Sequence, residues 1–139
     1  MIRRSDLGAL LARAQAGYPH EVCGVLLADA EAPRRVRSVV SVPNVASDPR
    51  KGFEIAPEDL LRVQREARAS SREILGYYHS HPDHPAAPSE TDRRRAAEGL
   101  SDGVVHLILA VEEDGTVASQ AWVFRDATRG FESEPLEIE

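Results

Sequence analysis

Cysteine occurs once in this chain, at Cys23, so no internal disulfide can form. A structural metal site built from several thiolates is excluded for the same reason. Lysine also occurs once, at Lys51, in a chain whose other strongly basic residues are all arginine; this is read as a compositional habit. No apolar run approaches the roughly 20 residues that a membrane-spanning helix needs. The start, Met1-Ile2-Arg3-Arg4, is basic, but Arg13 interrupts the apolar stretch behind it. A secretory signal requires an unbroken apolar core there. The expected location is the cytoplasm, with no membrane partner. Net positive charge is missing too: the formal charge is −6. That argues against nucleic acid as a partner, because such affinity comes largely from a basic surface.

What is present fits one globular domain, expected over residues 1–139. Hydrophobic residues make up 42% and charged residues 29%. A chain of this length buries roughly two-thirds of the surface that it exposes when unfolded.

The first element reads as an amphipathic helix, with Ser5 as N-cap and Leu7, Leu10, Leu11 and Ala14 at helical spacing. Strands are predicted over Val22–Leu27, Arg37–Val42, Ile74–His81, Val104–Val111 and Ser119–Phe124, with a last edge strand over Phe131–Ile138. Phe53–Ile55 is expected to pair nearby. Pro57 opens a second helix with Glu58 and Asp59 in its first turn, where acidic groups meet the positive end of the helix dipole. A third helix is predicted from Ser89 to Leu100. Helices interleaved with strands indicate an α/β or α+β domain, with helices packed on a central, mostly antiparallel or mixed sheet.

His79 and His81 stand two apart at the end of a predicted strand, so both imidazoles project from one face and can share a metal ion. Ser89-Glu90-Thr91-Asp92 reads as a capping box at a helix start. Asp92 in that first turn can also point back toward the histidines. Two histidines and an aspartate suit zinc and leave a fourth position open, which marks a catalytic site. Glu21 enters a buried strand, where an unpartnered carboxylate is costly; it is either a solvated strand end or the base of a reaction. Cys23 is read as a small core residue, and His20 and His106 as structural. His84 is expected to be exposed.

Together these residues resemble the JAMM (MPN-plus) zinc metalloprotease family. Its signature is a Glu on an early strand and then His-x-His-x7-Ser-x2-Asp, met here by Glu21, His79, His81, Ser89 and Asp92. The stretches Tyr18-Pro19-His20-Glu21-Val22-Cys23-Gly24, Pro43-Asn44 and Gly76-Tyr77-Tyr78 also look like the short bacterial members. The resemblance implies an MPN/JAMM fold related to the cytidine deaminase architecture. It implies one zinc ion held by His79, His81 and Asp92, with Glu21 as general acid/base and Ser89 stabilising the tetrahedral intermediate. The implied reaction is hydrolysis of an amide bond at the C-terminal tail of a ubiquitin-like sulfur-carrier protein, releasing cysteine or another adduct. A flexible Gly-Gly tail is expected to lie as an added strand along a sheet edge. The alternatives are a general small-peptide zinc hydrolase and a non-catalytic MPN scaffold. Oligomeric state is not readable from the sequence.

Overall fold

The structure is a computed structural model that describes residues 1–99, 103–126 and 128–139. Three helices and six strands follow in the order α1 (Arg4–Gly17), β1 (Cys23–Asp29), β2 (Ser38–Val42), α2 (Pro57–Ala69), β3 (Arg72–Pro82), α3 (Glu90–Gly99), β4 (Val105–Val111), β5 (Val117–Phe124) and β6 (Phe131–Glu134). The strands form one sheet in the order β2-β1-β3-β4-β5-β6. Every pairing is antiparallel except β3 with β4, so the sheet is mixed. A parallel pair needs a long crossover, and here it contains α3. The predicted α+β class with helices flanking a central sheet is what the chain adopts.

Both faces of the sheet are covered, which explains the near-continuous apolar runs of β1 and β4. One face buries Leu26, Tyr78, Leu107, Leu109 and Val111 beneath Leu7, Leu10 and Ala14 of α1. The other buries Cys23, Val25 and Leu27 against Val63 and Ala67 of α2. Neighbours on a strand alternate between faces. His79 is opposite Cys23 in the β1–β3 register, and Tyr77 packs with the α2-side core, so His79 and His81 share that side. Gly24 keeps the β1–β2–β3 packing tight, because a Cβ there would meet the Val40 carbonyl and the Tyr78 ring.

Several predicted boundaries move. Helix α1 begins at Arg4, and Arg3 is its N-cap with no side-chain capping bond, its guanidinium pairing instead with Asp6, so Ser5 does not cap it. The terminal strap supplies the reason: the Arg4 N–H reaches the Glu139 carbonyl at 3.2 Å, and Ile2 bridges to Ile138. The last strand stops at Glu134, where Pro135 removes a donor. Phe53–Ile55 forms no strand, although Val45 N–H reaches the Glu54 carbonyl at 2.9 Å. The predicted helix end at Leu100 lies outside the described residues.

Candidate metal centre

The β1–β3 pairing brings Glu21, at the entrance to β1, beside the histidine end of β3. Glu21, His79 and His81 each offer a ligand atom within 4.8 Å of the others, and all three residues are buried. Asp92 joins them from the first turn of α3. One carboxylate oxygen, Oδ2, lies 3.3 Å from His79 Nε2 and 3.1 Å from His81 Nε2, and the two nitrogens are 2.9 Å apart.

The capping box is also present. Ser89 N–H donates to Asp92 Oδ2 at 2.9 Å, and Asp92 N–H donates to Ser89 Oγ at 3.0 Å. The helix start thus aims the oxygen that faces the histidines. Ser89 Oγ accepts in this pair, so its own proton stays free to donate elsewhere.

The donor set fits a metal ion. Ligands bound tetrahedrally to zinc at about 2.0–2.1 Å stand roughly 3.3 Å apart, close to the edges of this triangle. His81 Nδ1 is 2.9 Å from the Pro85 carbonyl. A carbonyl only accepts, so Nδ1 carries the proton and a neutral His81 turns the lone pair of Nε2 inward. That nitrogen and the Asp92 oxygen 3.1 Å away repel one another unless a cation or a proton lies between them.

The electrostatics separate the two carboxylates. Burial alone would raise Asp92, but the bonds from His79 and His81 hold its carboxyl well below the usual range. Burial pushes Glu21 up to about 7, and the Asp92 charge adds to this while His81 and Arg95 oppose it. Asp92 is therefore a permanent anion, and Glu21 is poised to exchange a proton near neutrality. Burial lowers His79. It opposes the charged form of His81 as well, but the Asp92 and Pro85 bonds win and raise that group.

Supporting residues that the sequence did not reveal hold the site. Asn44 Nδ2 donates to the carbonyls of Glu21 and Gly52 at 2.9 and 3.0 Å, and its Oδ1 accepts from the Ala46 and Glu54 N–H groups. It staples the Glu21 strand end to the following loop, a role that its place in the Pro43-Asn44 stretch of the sequence does not show. The Phe53 ring stacks on His79 at 4.5 Å and 22°. Ser80 faces away and accepts the Val22 N–H at 2.8 Å. Burial pushes the Cys23 thiol up to about 12, which leaves it unreactive. His20 and His84 are exposed. His106 is buried, and neither ring nitrogen has a partner.

Two clefts meet at the cluster. One, of about 230 Å3, is walled by Phe53, Ile55, Leu60, Tyr77, Ala96 and His106 and reaches Asp92. The other, of about 330 Å3, is lined by Glu21, His81, Ser89, Arg50, Lys51 and His84. Among the described residues no helix is long and apolar enough to cross a membrane.

The family described as prokaryotic homologs of the JAB domain matches residues 4–125. The chain belongs to that family. It is 38% identical over 104 residues to a desampylase of Haloferax volcanii, covering 75% of this chain and 70% of that protein. It is 35% identical over 63 residues to a probable TtuB-protein conjugate cleaving protease of Thermus thermophilus, covering 45% and 43% of the two chains. A JAB1/MPN domain protein from Archaeoglobus fulgidus shares the fold, with a TM-score of 0.62 at 20% identity over 99% of this chain and 96% of that one. The recognition of a short prokaryotic JAMM-type chain stands, and the protein is a hydrolase of this family.

Proposed function

We propose that residues 1–139 form one domain that works in the cytoplasm as a zinc metallopeptidase. It hydrolyses the amide bond between the C-terminal tail of a ubiquitin-like protein of the sulfur-carrier type and an amine. The observation that carries this reading is the 2.9–3.3 Å triangle of His79, His81 and Asp92 with Glu21 beside it. The conjugate-cleaving relatives support the substrate class.

His79 Nε2, His81 Nε2 and Asp92 Oδ2 would hold the zinc ion. When bound, zinc supplies Lewis acidity toward a carbonyl and toward water. Glu21 takes the proton of the attacking water and passes it to the departing amine. The free proton of the Ser89 hydroxyl donates to the substrate oxygen as charge grows there. The His81 Nδ1 bond to Pro85 fixes the ring orientation. Strand β3 pairs with β4 through His81, whereas its pairing with β1 ends at His79.

Protein purified without chelator is expected to hold about one zinc ion per chain. It should cut at least one member of a panel of ubiquitin-like proteins extended beyond a Gly-Gly tail. Glu21→Gln should keep the metal and lose about 10²–10⁴ in kcat. Zinc well below stoichiometry would leave only an MPN scaffold. Equal cleavage of short unrelated peptides would leave a general amide hydrolase. Full activity of Glu21→Gln would remove Glu21 from the chemistry.

A further inference from the structure

The two histidines of the site are held in different ways. A histidine that binds a metal through one ring nitrogen almost always donates the N–H of the other to an acceptor, and that bond fixes the plane of the ring. His81 follows the rule, with its Nδ1 at 2.9 Å from the Pro85 carbonyl. His79 does not. Its Nδ1 is buried and, among the described residues, has no hydrogen-bond partner. The plane of this ring needs another support.

What meets it is Phe53. The two rings lie 22° from parallel with their centroids 4.5 Å apart, at the close end of the range for aromatic stacking. Phe53 belongs to no helix or strand, yet the backbone on either side of it is bonded at every residue. The Gly52 carbonyl accepts from Asn44 Nδ2 at 3.0 Å, the Phe53 carbonyl accepts from the Arg95 guanidinium, and the Glu54 N–H donates to Asn44 Oδ1 at 3.0 Å. The Glu54 carbonyl in turn accepts the Val45 N–H at 2.9 Å. Ordering a loop costs conformational entropy, and here bonds from two directions hold three loop residues against the site. Arg95 stands one turn beyond Asp92 on α3. The helix that presents the Asp92 carboxylate therefore also grips the loop that presents Phe53.

We infer that Phe53 is the positioning residue of His79: its stacked ring fixes the imidazole plane and so presents Nε2 to the metal, the service that the Pro85 carbonyl performs for His81. This rests on the metal-centre reading above. Phe53 touches no reacting atom and acts only through His79. The competing role is plain apolar packing, since Phe53 also lies against the α2-side core. Packing needs apolar volume, whereas a stack needs a flat ring, so the two roles can be separated.

Phe53 also walls the apolar cleft, and turnover would mix two effects. The readout is therefore metal binding with no substrate present. Metal-free protein is titrated with zinc against a chromophoric chelator. Phe53→Leu, apolar but not flat, should raise the zinc Kd by about tenfold, as losing the support of a ligand does elsewhere. Phe53→Tyr keeps the ring and should stay within about twofold of the natural chain. Cobalt in place of zinc reports ligand geometry through its visible spectrum, which should change in Phe53→Leu and not in Phe53→Tyr. Melting temperatures of the metal-free proteins show what each substitution costs the fold, and Phe53→Ile replaces Phe53→Leu if the latter does not fold. Equal zinc affinity in the natural and the non-aromatic protein would overturn the inference, as would an equal loss in Phe53→Tyr. Failure of both non-aromatic variants to fold would make Phe53 a core residue and overturn it too. If the natural protein binds no zinc, the metal-centre reading itself falls and takes this inference with it.

Discussion

The two clefts at the histidine pair differ less in size, about 230 against 330 Å3, than in what builds them. The apolar cleft is cut mainly into regular structure: Tyr77 and His106 come from β3 and β4, Leu60 from α2, and Ala96 from α3, with Phe53 to Ile55 of the preceding loop closing one wall. The cationic cleft is made mostly of loop residues, Arg50 and Lys51 before α2 and His84 to Ser89 before α3. Side chains on a packed sheet face are held by their neighbours, whereas loop residues can change without disturbing the core. The common half of the substrate, the carrier tail, accordingly suits the apolar wall. The half that varies, the leaving amine, suits the loops.

The largest test of this division puts a charge into the apolar wall. Leu60→Asp sits in the first turns of α2, where a carboxylate is tolerated by the helix dipole, so the fold should survive. Cleavage of the carrier fusion is expected to fall about 100-fold in kcat/KM, mostly through KM. Losses from Leu60→Asp and Arg50→Gln should add, as they do for sites without shared partners. A double variant no worse than either single one would show the clefts to be one binding site.

A smaller effect tests Glu21 by stability alone, in metal-free protein. Its carboxyl rises from 4.5 to about 7 on folding. The folded state therefore holds that proton more tightly than the unfolded chain. The benefit is complete below pH 4.5 and is lost as pH climbs from 4.5 through 7. Glu21→Gln removes this loss. At pH 8 with a chelator it should be more stable than the natural chain by on the order of 2–3 kcal/mol. At pH 4 the two should converge. Parallel urea-midpoint profiles from pH 4 to 8 would mean that the Glu21 carboxyl is well solvated.

How much of this was legible in the sequence depended on the range of the interaction. The Ser89/Asp92 box is local and was readable in full, as was the shared face of His79 and His81. That one Asp92 oxygen also meets both histidines was visible only as a possible direction. The position of Glu21 was inferred from family resemblance, because the register that sets Cys23 against His79 leaves no local signature. Asn44 and Phe53 were not legible in these roles. An Asn after a proline reads as a turn whatever its side chain binds, and an aromatic in an extended stretch reads as strand. The start of the first helix lies where a tertiary contact decides it, at Arg4, whose N–H is taken by Glu139 from the other end of the chain.

The smallest effect belongs to His106, which lines the cleft with both ring nitrogens buried and, among the described residues, without a hydrogen-bond partner. Burial first, and then the nearby His79, lowers it to about 4. The folded state thus resists a proton that the unfolded chain accepts near 6.5. Stability is unaffected by this group above 6.5 and is lost as pH falls from there toward 4. His106→Leu fits the apolar surroundings of Tyr77 and Phe131, which border the ring at 5.9 and 5.0 Å. At pH 7.5 it should raise stability by about 1 kcal/mol, the cost of leaving a buried polar group unpaired. The gain should widen as pH drops through 5, because leucine has nothing to protonate. A loss of stability at pH 7.5 would mean that the imidazole makes an interaction its surroundings do not reveal, and the cleft would then be less apolar than its walls.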